Sequence, residues 1–336
     1  MAASLPDRQR DLPRAVFLGI VAAMDRFDVV VVGGGAAGLS GALMLARSKR
    51  SVLVIDAGIP RNAPAAAVHG LLGRDGMSPM ELLERGRAEV RGYGGEVISG
   101  TVESAAPGDS GFTVTLADGR TLGARRLLVT TGLVDVLPEI PGLRERWGRD
   151  VVHCPYCHGW EVRDRPIGVI SSGPMSVHQA MLFSQLSDDV TFFTHTRPAP
   201  AGEDAEKLAA RGISIVDGEV AGLEIAGDRL TGVRVADGTV VPVGAVAVAT
   251  RMVARAGVFE GLGLRPVEHP SGTGEYIPTE VAGRTGVAGV WAAGNITDLT
   301  AQVGAAAAAG ALAGAAINAD LIEGEVRRAV TARRAA

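Results

Sequence analysis

"FDVVVVGGGAAGLSGALMLARSKRSVLVIDAG", residues 27–58, reads as strand, glycine turn, helix, strand. The unbroken apolar run Val29–Val32 suits a strand buried on both faces. From about Ala36 to Ser48, Leu39, Leu43 and Ala46 recur at helical spacing, and "SVLVID" supplies the second strand. The unit is βαβ, and its turn carries Gly33-x-Gly35-x-x-Gly38, with Asp56 ending the next strand. Gly33 permits the tight turn, Gly35 lets backbone approach a diphosphate, and Gly38 lets helix and strand pack closely. Ala36 and Ala37 open the helix, whose N-terminus stabilises phosphate charge, and Asp56 can accept from ribose hydroxyls. A dinucleotide is the expected ligand; the alternative is a tight turn with none.

The same plan recurs at "PIGVISSGPMSVHQAMLFSQLSDDVTFFTH", 166–195. Between the two units, 96–132 reads as short β segments with a hairpin turn at Asp118-Gly119, ending "RRLLVTTG". A second β-rich patch covers 213–248, with a turn at Asp237-Gly238. The repetition predicts an α/β protein of two doubly wound, Rossmann-like three-layer domains. The second loop is degraded. It reads Ser171-Ser172-Gly173-Pro174-Met175-Ser176, so its first glycine is Ser171, and the following strand ends in His195, Thr196 and Arg197. One permanent positive charge is a poor clamp for a 2′-phosphate. These residues argue against NADPH there and are equally consistent with a domain kept for its shape.

The 336 residues suit about two domains. Hydrophobic residues are 47% and charged residues 21%, which excludes a disordered chain; a net charge of −4 without a long basic run argues against a nucleic-acid surface. "AVFLGIVAA", 15–23, resembles a short signal core, but Asp7 and Asp11 offset the upstream arginines, so residues 1–23 read as a dispensable extension. The strand of "GVAGVWAAGNITD", 286–298, ends in Gly294-Asn295. An Ala/Gly-rich helix follows over 299–322, bracketed by Gln302, Asn318 and Asp320. With few large apolar side chains it reads as a tightly packed core helix rather than a membrane span.

Both cysteines lie in "VVHCPYCHGWEV", 151–162. Cys-x-x-Cys-His is also the attachment signature of a c-type haem, and four ligand-type residues in six positions could hold zinc. Haem attachment fits a nicotinamide- or flavin-type fold badly, and the ligands are too contiguous to wrap a tetrahedron easily, so no metal is expected. A redox pair needs an electron acceptor nearby, which the first glycine loop supplies if its dinucleotide is FAD.

The glycine loop 33–38, the "TTG" at 130–132, the central Cys154-x-x-Cys157, the degenerate second loop and the late "GVWAAGNITD" occur in an order that resembles the low-molecular-weight, FAD-dependent thioredoxin reductase family. The resemblance covers nearly the whole chain after Met24. It implies FAD bound by both ends of the chain, a central nicotinamide-type domain carrying the cysteines, and a homodimer. The corresponding division is an extension (1–23), an FAD domain in two parts (24–133 and 250–325), a central domain (134–249) and a tail (326–336). Thr131 and Gly132, Arg61 and Asn62 of the loop 60–76, and Gly294, Asn295 and Gln302 are the further residues expected along FAD. In the same loop His69 either faces the substrate or is a loop residue without catalytic weight.

Thioredoxin reductases place Asp after the second cysteine, where this chain has His158, and carry an arginine pair where it has His195-Thr196. "CPYCHGWE" is more similar to the dithiol oxidase branch, whose members close the disulfides of small natural products such as gliotoxin and holomycin. That resemblance implies Cys154 as exchange thiol, Cys157 against the flavin and His158 as base, since imidazole titrates near neutrality. His153 is a candidate helper or a turn histidine. The expected reaction takes a small-molecule dithiol and O2 to a cyclic disulfide and H2O2, in the cytoplasm, without nucleic-acid or membrane partners. The alternatives are an NADPH-dependent disulfide reductase and a non-catalytic flavoprotein that binds a reactive thiol for self-protection.

Overall fold

In the computed structural model, which describes residues 25–109 and 111–336, strand β1 (Arg26–Val32) sends Val29 and Val31 to one face of its sheet and Val30 and Val32 to the other. Both faces are covered, which is why the run is apolar throughout. The chain continues through α1 (Ala36–Arg47), β2 (Val52–Asp56), α2 (Pro79–Gly92), β3 (Glu96–Ser99), β4 (Val102–Gly108), β5 (Gly111–Leu116) and β6 (Thr121–Val129). A short strand β7 (Leu133–Val136) leads out of this unit.

The central unit comprises α3 (Leu143–Arg146), β8 (Val151–Val152), α4 (Pro155–His158), β9 (Ile167–Ile170), α5 (Ser176–Phe183), β10 (Val190–Phe193), α6 (Glu203–Ala210) and β11 (Ser214–Val216). Strands β12 (Val220–Ala226), β13 (Arg229–Val235), β14 (Val240–Val241) and β15 (Ala245–Val248) complete it. The return runs through β16 (Arg251–Ala254), β17 (Val267–Glu268), β18 (Glu275–Tyr276), β19 (Val290–Ala292) and α7 (Val303–Ala335).

The first sheet has the order β3-β2-β1-β6-β5-β4, with β19 added parallel to the end of β6. The central sheet, β11-β10-β9-β15-β8, is parallel throughout. In each, the strand before the glycine loop lies between its successor and a strand from much later in the chain. That reversal opens a crevice at the strand's carboxyl end, where dinucleotides bind in such folds. Each sheet has helices on one face. On the other, the first is covered by the β4–β5 hairpin and the 254–277 segment, and the central one by the antiparallel β12-β13-β14 layer.

Two features differ from the sequence reading. The last helix begins at Val303 rather than near 299 and continues to Ala335, so the expected tail 326–336 is mostly helix. The extra length is anchored where Glu325 pairs with Arg50 (2.6 Å) and Arg125 (2.8 Å), the latter also holding Asp28 of β1. These two guanidinium groups hold the Glu325 carboxyl down at about 2. The extension expected over 1–23 lies outside the described residues.

By length and composition α7 could cross a membrane. Its small-residue face instead packs on α1, as the sequence predicts for a core helix. A side chain at Gly310 would run into the Ala37 carbonyl, and one at Gly314 into the Gly41 backbone. Contact this close requires glycine on both helices. Gly310→Val should therefore destabilise the protein by about 1–3 kcal/mol or more, with a fall in Tm of roughly 5 °C. Gly92→Ala, which meets open space at the end of α2, should leave the melt unchanged or raise it. Equal melting of Gly310→Val and the parent would contradict the crossing.

Candidate active site

The first glycine loop and the cysteine pair open onto one cleft of about 1380 Å³. Small-molecule pockets usually measure roughly 300–1,000 Å³, so this cleft has room for a dinucleotide and a second small molecule. Gly33, Gly35, Ala36, Ala37, Asp56, Arg61 and Asn62 line it from one end of the chain, and Thr131, Gly132, Gly294, Asn295 and Gln302 from the strand ends that follow. Cys154, Cys157 and His158 close it from the central domain. Gly38 lies behind the wall, where a side chain would strike the Gly33 carbonyl and the Thr130 hydroxyl.

The dinucleotide cradle is built as its chemistry requires. Gly33 has φ +111°, a conformation side chains resist. A Cβ on Gly35, at the start of α1, would meet nothing within 4 Å and would project into the cleft. Asp56 is oriented by Arg87 (2.8 Å) and by the Gly58 amide (2.9 Å). Asn295 donates its amide to the carbonyls of Asp298 (3.0 Å) and Ala301 (2.9 Å). A carboxylate there would face those oxygens with no proton to offer, which explains Asn at this position. The Thr131 hydroxyl donates to the Arg255 carbonyl (2.7 Å), and Gln302 caps the start of α7 through its backbone.

Arg61 lines the cleft and is tied to the neighbouring domain connection. Its guanidinium grips Asp135 of β7 in a fork (2.6 and 2.8 Å) and reaches the Leu299 carbonyl. Asp135 also accepts from the Thr250 hydroxyl at 2.6 Å. Burial works against the Asp135 charge, but Arg61 and Thr250 outweigh it and hold the carboxyl below its usual range. Asp135 and Thr250 carry no motif; only their places beside the two strands that join the domains could have drawn attention to them.

Cys154 caps the N-terminus of the four-residue α4, and both cysteines are free thiols, half-buried in the wall. The pair shares one proton. The Cys157 thiol donates to Cys154, and with help from the Tyr156 and Cys157 amides and the Arg61 charge this brings Cys154 down to about 7, against the opposing effect of burial. Cys157, holding the shared proton beside a thiolate and away from water, is raised far above a normal thiol. His158 is half-buried and its Nε2 is enclosed without a partner among the described residues. Burial lowers its basicity; Glu161 partly restores it and His69 lowers it further. His153 also lines the cleft, with Nδ1 bonded to the Val248 carbonyl at 3.1 Å.

The second glycine loop is filled from within. Ser176 is buried, and its hydroxyl accepts from the amides of Ser172 and Gly173 (both 3.1 Å) while donating to the Gly173 carbonyl (2.9 Å). Those amides are the kind of donors a diphosphate would need. His195 is likewise tied down, accepting from the Val220 amide at 3.1 Å. The sequence pointed to Ser171 as the departure; the side chain that occupies the loop is Ser176.

The sequence profile of the family described as pyridine nucleotide-disulphide oxidoreductase matches residues 27–331. The chain is 32% identical to "Thioredoxin reductase tcpT" of Claviceps purpurea, over 85% of this chain and 92% of that protein. Among solved structures, HlmI superposes with a TM-score of 0.85 at 46% identity, covering 92% of this chain and 97% of HlmI. An oxidoreductase from Agrobacterium tumefaciens gives 0.83 at 36% identity, covering 88% and 99%.

The shared proton makes a direct prediction. In the reduced protein, iodoacetamide should modify Cys154 first, with a rate that rises through a midpoint near pH 7, because the shared proton and the neighbouring amides bring its thiol down to about 7. Cys157 should remain slow well into the alkaline range. Peptide mapping of alkylated protein across a pH series checks both, and preferential labelling of Cys157 would contradict the assignment.

Proposed function

The chain belongs to the pyridine nucleotide-disulphide oxidoreductase family, and within it we propose an FAD-dependent dithiol oxidase that closes a disulfide in a small natural product. Its acceptor is dioxygen and its by-product hydrogen peroxide. The observation that carries this reading over a nicotinamide-fed reductase is the Ser176 hydroxyl on the Ser172 and Gly173 amides, beside an open first loop. The first loop, Asp56 and the N-terminus of α7 would hold FAD. Bound there, FAD supplies a two-electron acceptor for the cysteine pair that dioxygen can reoxidise.

The remaining chemistry is the chain's own. His158 takes the proton from one substrate thiol, and the resulting thiolate attacks the sulfur of Cys154 in the oxidised pair. The Cys154–Cys157 bond breaks, Cys157 departs as thiolate, and a mixed disulfide joins substrate to Cys154. The substrate's second thiol passes its proton to the Cys157 thiolate, and the thiolate so formed attacks its own linked sulfur and displaces Cys154 as thiolate. The low proton affinity of Cys154 makes it a good leaving group in that step. While Cys154 is bonded to substrate it bears no charge, so the main cause of the raised Cys157 affinity is relieved. Over the cycle R(SH)2 and O2 become R(S–S) and H2O2. A homodimer in the cytoplasm belongs to the same proposal, on the sequence resemblance alone.

The test is an anaerobic comparison of electron donors on the purified yellow protein. Reduced dithiolopyrrolone or dithiothreitol should bleach the flavin, and air should restore its colour with peroxide formed in step. NADPH should be slower by about 100-fold or more, the size of effect expected when a buried binding group is already occupied. Rapid bleaching by NADPH with none by dithiols would overturn the proposal in favour of a reductase, the activity named for the Claviceps relative.

A further inference from the structure

Two of the chain's few aromatic residues stand in the open beside the cysteines. Tyr156, between Cys154 and Cys157 on α4, is 68% exposed, and Trp160, just beyond α4, is 66% exposed. The other two tryptophans are covered, Trp291 fully and Trp147 in part. Trp160 does not sit on a loose loop. Val162, two residues on, is buried in the central core, and a side chain at Gly159 would strike the Pro155 carbonyl and Leu186. Arg163 lies over the indole at 3.9 Å and donates to the Trp160 carbonyl at 2.6 Å. The ring is therefore held in place while most of its surface faces solvent. Exposed apolar surface rimmed by polar groups marks a ligand groove.

Tyr156 and Trp160 enclose, with His69, Asp75 and Glu161, a chamber of about 460 Å³. That is the size of a small-molecule pocket. It adjoins the cysteine cleft, because His69 and Tyr156 line both. Arg163 does not line it, so the guanidinium holds the indole without filling the space. Asp75 accepts from the Gly70 amide at 2.9 Å. Both carboxylates flank His69, Glu161 Oε1 at 3.4 Å from Nε2 and Asp75 Oδ1 at 3.5 Å from Nδ1. Two carboxylates against one imidazole make the chamber electronegative. It can hold a flat ring against aromatic surface, accept from N–H or O–H groups, and repel a carboxylate.

We propose that this chamber is the recognition site for the part of the substrate remote from its thiols. It selects flat, uncharged dithiols bearing hydrogen-bond donors over dithiols that carry a carboxylate. The inference rests on the dithiol oxidase reading and adds the substrate class. A substrate whose sulfur reaches Cys154 has its remaining atoms beside Tyr156, at the threshold of the chamber. Trp160 and Tyr156 are specificity residues in this account and take no part in the exchange of sulfur bonds.

The test compares dithiols in the anaerobic reduction of the oxidised, FAD-loaded protein. New protein thiols are counted after acid quench, across a range of dithiol concentrations. The compound ortho-bis(mercaptomethyl)benzene presents a flat ring and dithiothreitol none; dihydrolipoamide and dihydrolipoate differ only in amide against carboxylate. Trp160→Leu should raise the half-saturating concentration of the ring dithiol by roughly 2- to 10-fold, the size of one aromatic contact. Its limiting rate, and both values for dithiothreitol, should stay unchanged, and Trp160→Phe should keep most of the preference. The wild type should favour dihydrolipoamide over dihydrolipoate, and Asp75→Asn combined with Glu161→Gln should narrow that ratio. Asn at 75 keeps an oxygen for the Gly70 amide. Equal effects of Trp160→Leu on ring dithiol and dithiothreitol, or none on either, would overturn the site. So would an amide-to-carboxylate ratio that the double variant leaves unchanged. If no dithiol reduces the wild-type pair, the oxidase reading falls and this inference with it; ready reduction without ring or charge preference sinks the chamber alone.

Discussion

Arg61 and Asp135 form the tie on which the site depends. Arg61 comes from the loop beyond β2, and Asp135 from β7, the outward strand of the two that connect the domains; Thr250, which also holds Asp135, immediately precedes the returning β16. A buried fork of this kind contributes little net stability over an apolar substitute, but loss of one partner costs about 3–5 kcal/mol. It ties the loop beyond β2 to the strand that leads out of the first domain, in the wall of the cleft that the cysteines and the first glycine loop share. The same guanidinium lowers the proton affinity of both cysteines. One side chain therefore couples domain placement to thiol chemistry.

The cysteine pair is asymmetric for simple electrostatic reasons. One proton serves two sulfurs in a half-buried wall, and the backbone amides of α4 and Arg61 favour charge on Cys154. Cys157 pays for this with a proton it releases reluctantly. The arrangement suits exchange with a small thiol at Cys154, while Cys157 stays neutral until its partner is engaged.

Much of the architecture was legible in the sequence because it rests on local pattern. The apolar run of β1, the glycine spacing and Asp56 define a βαβ unit, and its recurrence near 166 marks the second sheet. The cysteines, His158 and the residues expected along FAD could be named for the same reason, and all but Gly38 line one cleft. What escaped is made by contacts between distant residues. Arg61 was read only as a residue along FAD, and its pairing with Asp135 could not be foreseen because Asp135 lies 74 positions away. The end of α7 looked like a tail because Arg50 and Arg125 are nowhere near Glu325 in sequence. Ser176 sits at an unremarkable helix start, and its bonds to the Ser172 and Gly173 amides follow only from where its hydroxyl points.

The central claim of the proposed function is that electrons enter through the cysteine pair, in the cleft it shares with the first glycine loop, before they reach the cofactor. A stepwise anaerobic titration of the oxidised, FAD-loaded protein with a small dithiol tests it most directly, with free thiols and flavin absorbance followed together. The account predicts that the first equivalent yields two new protein thiols while the flavin remains oxidised, and that the second bleaches it. Bleaching by the first equivalent with no new thiols would contradict it.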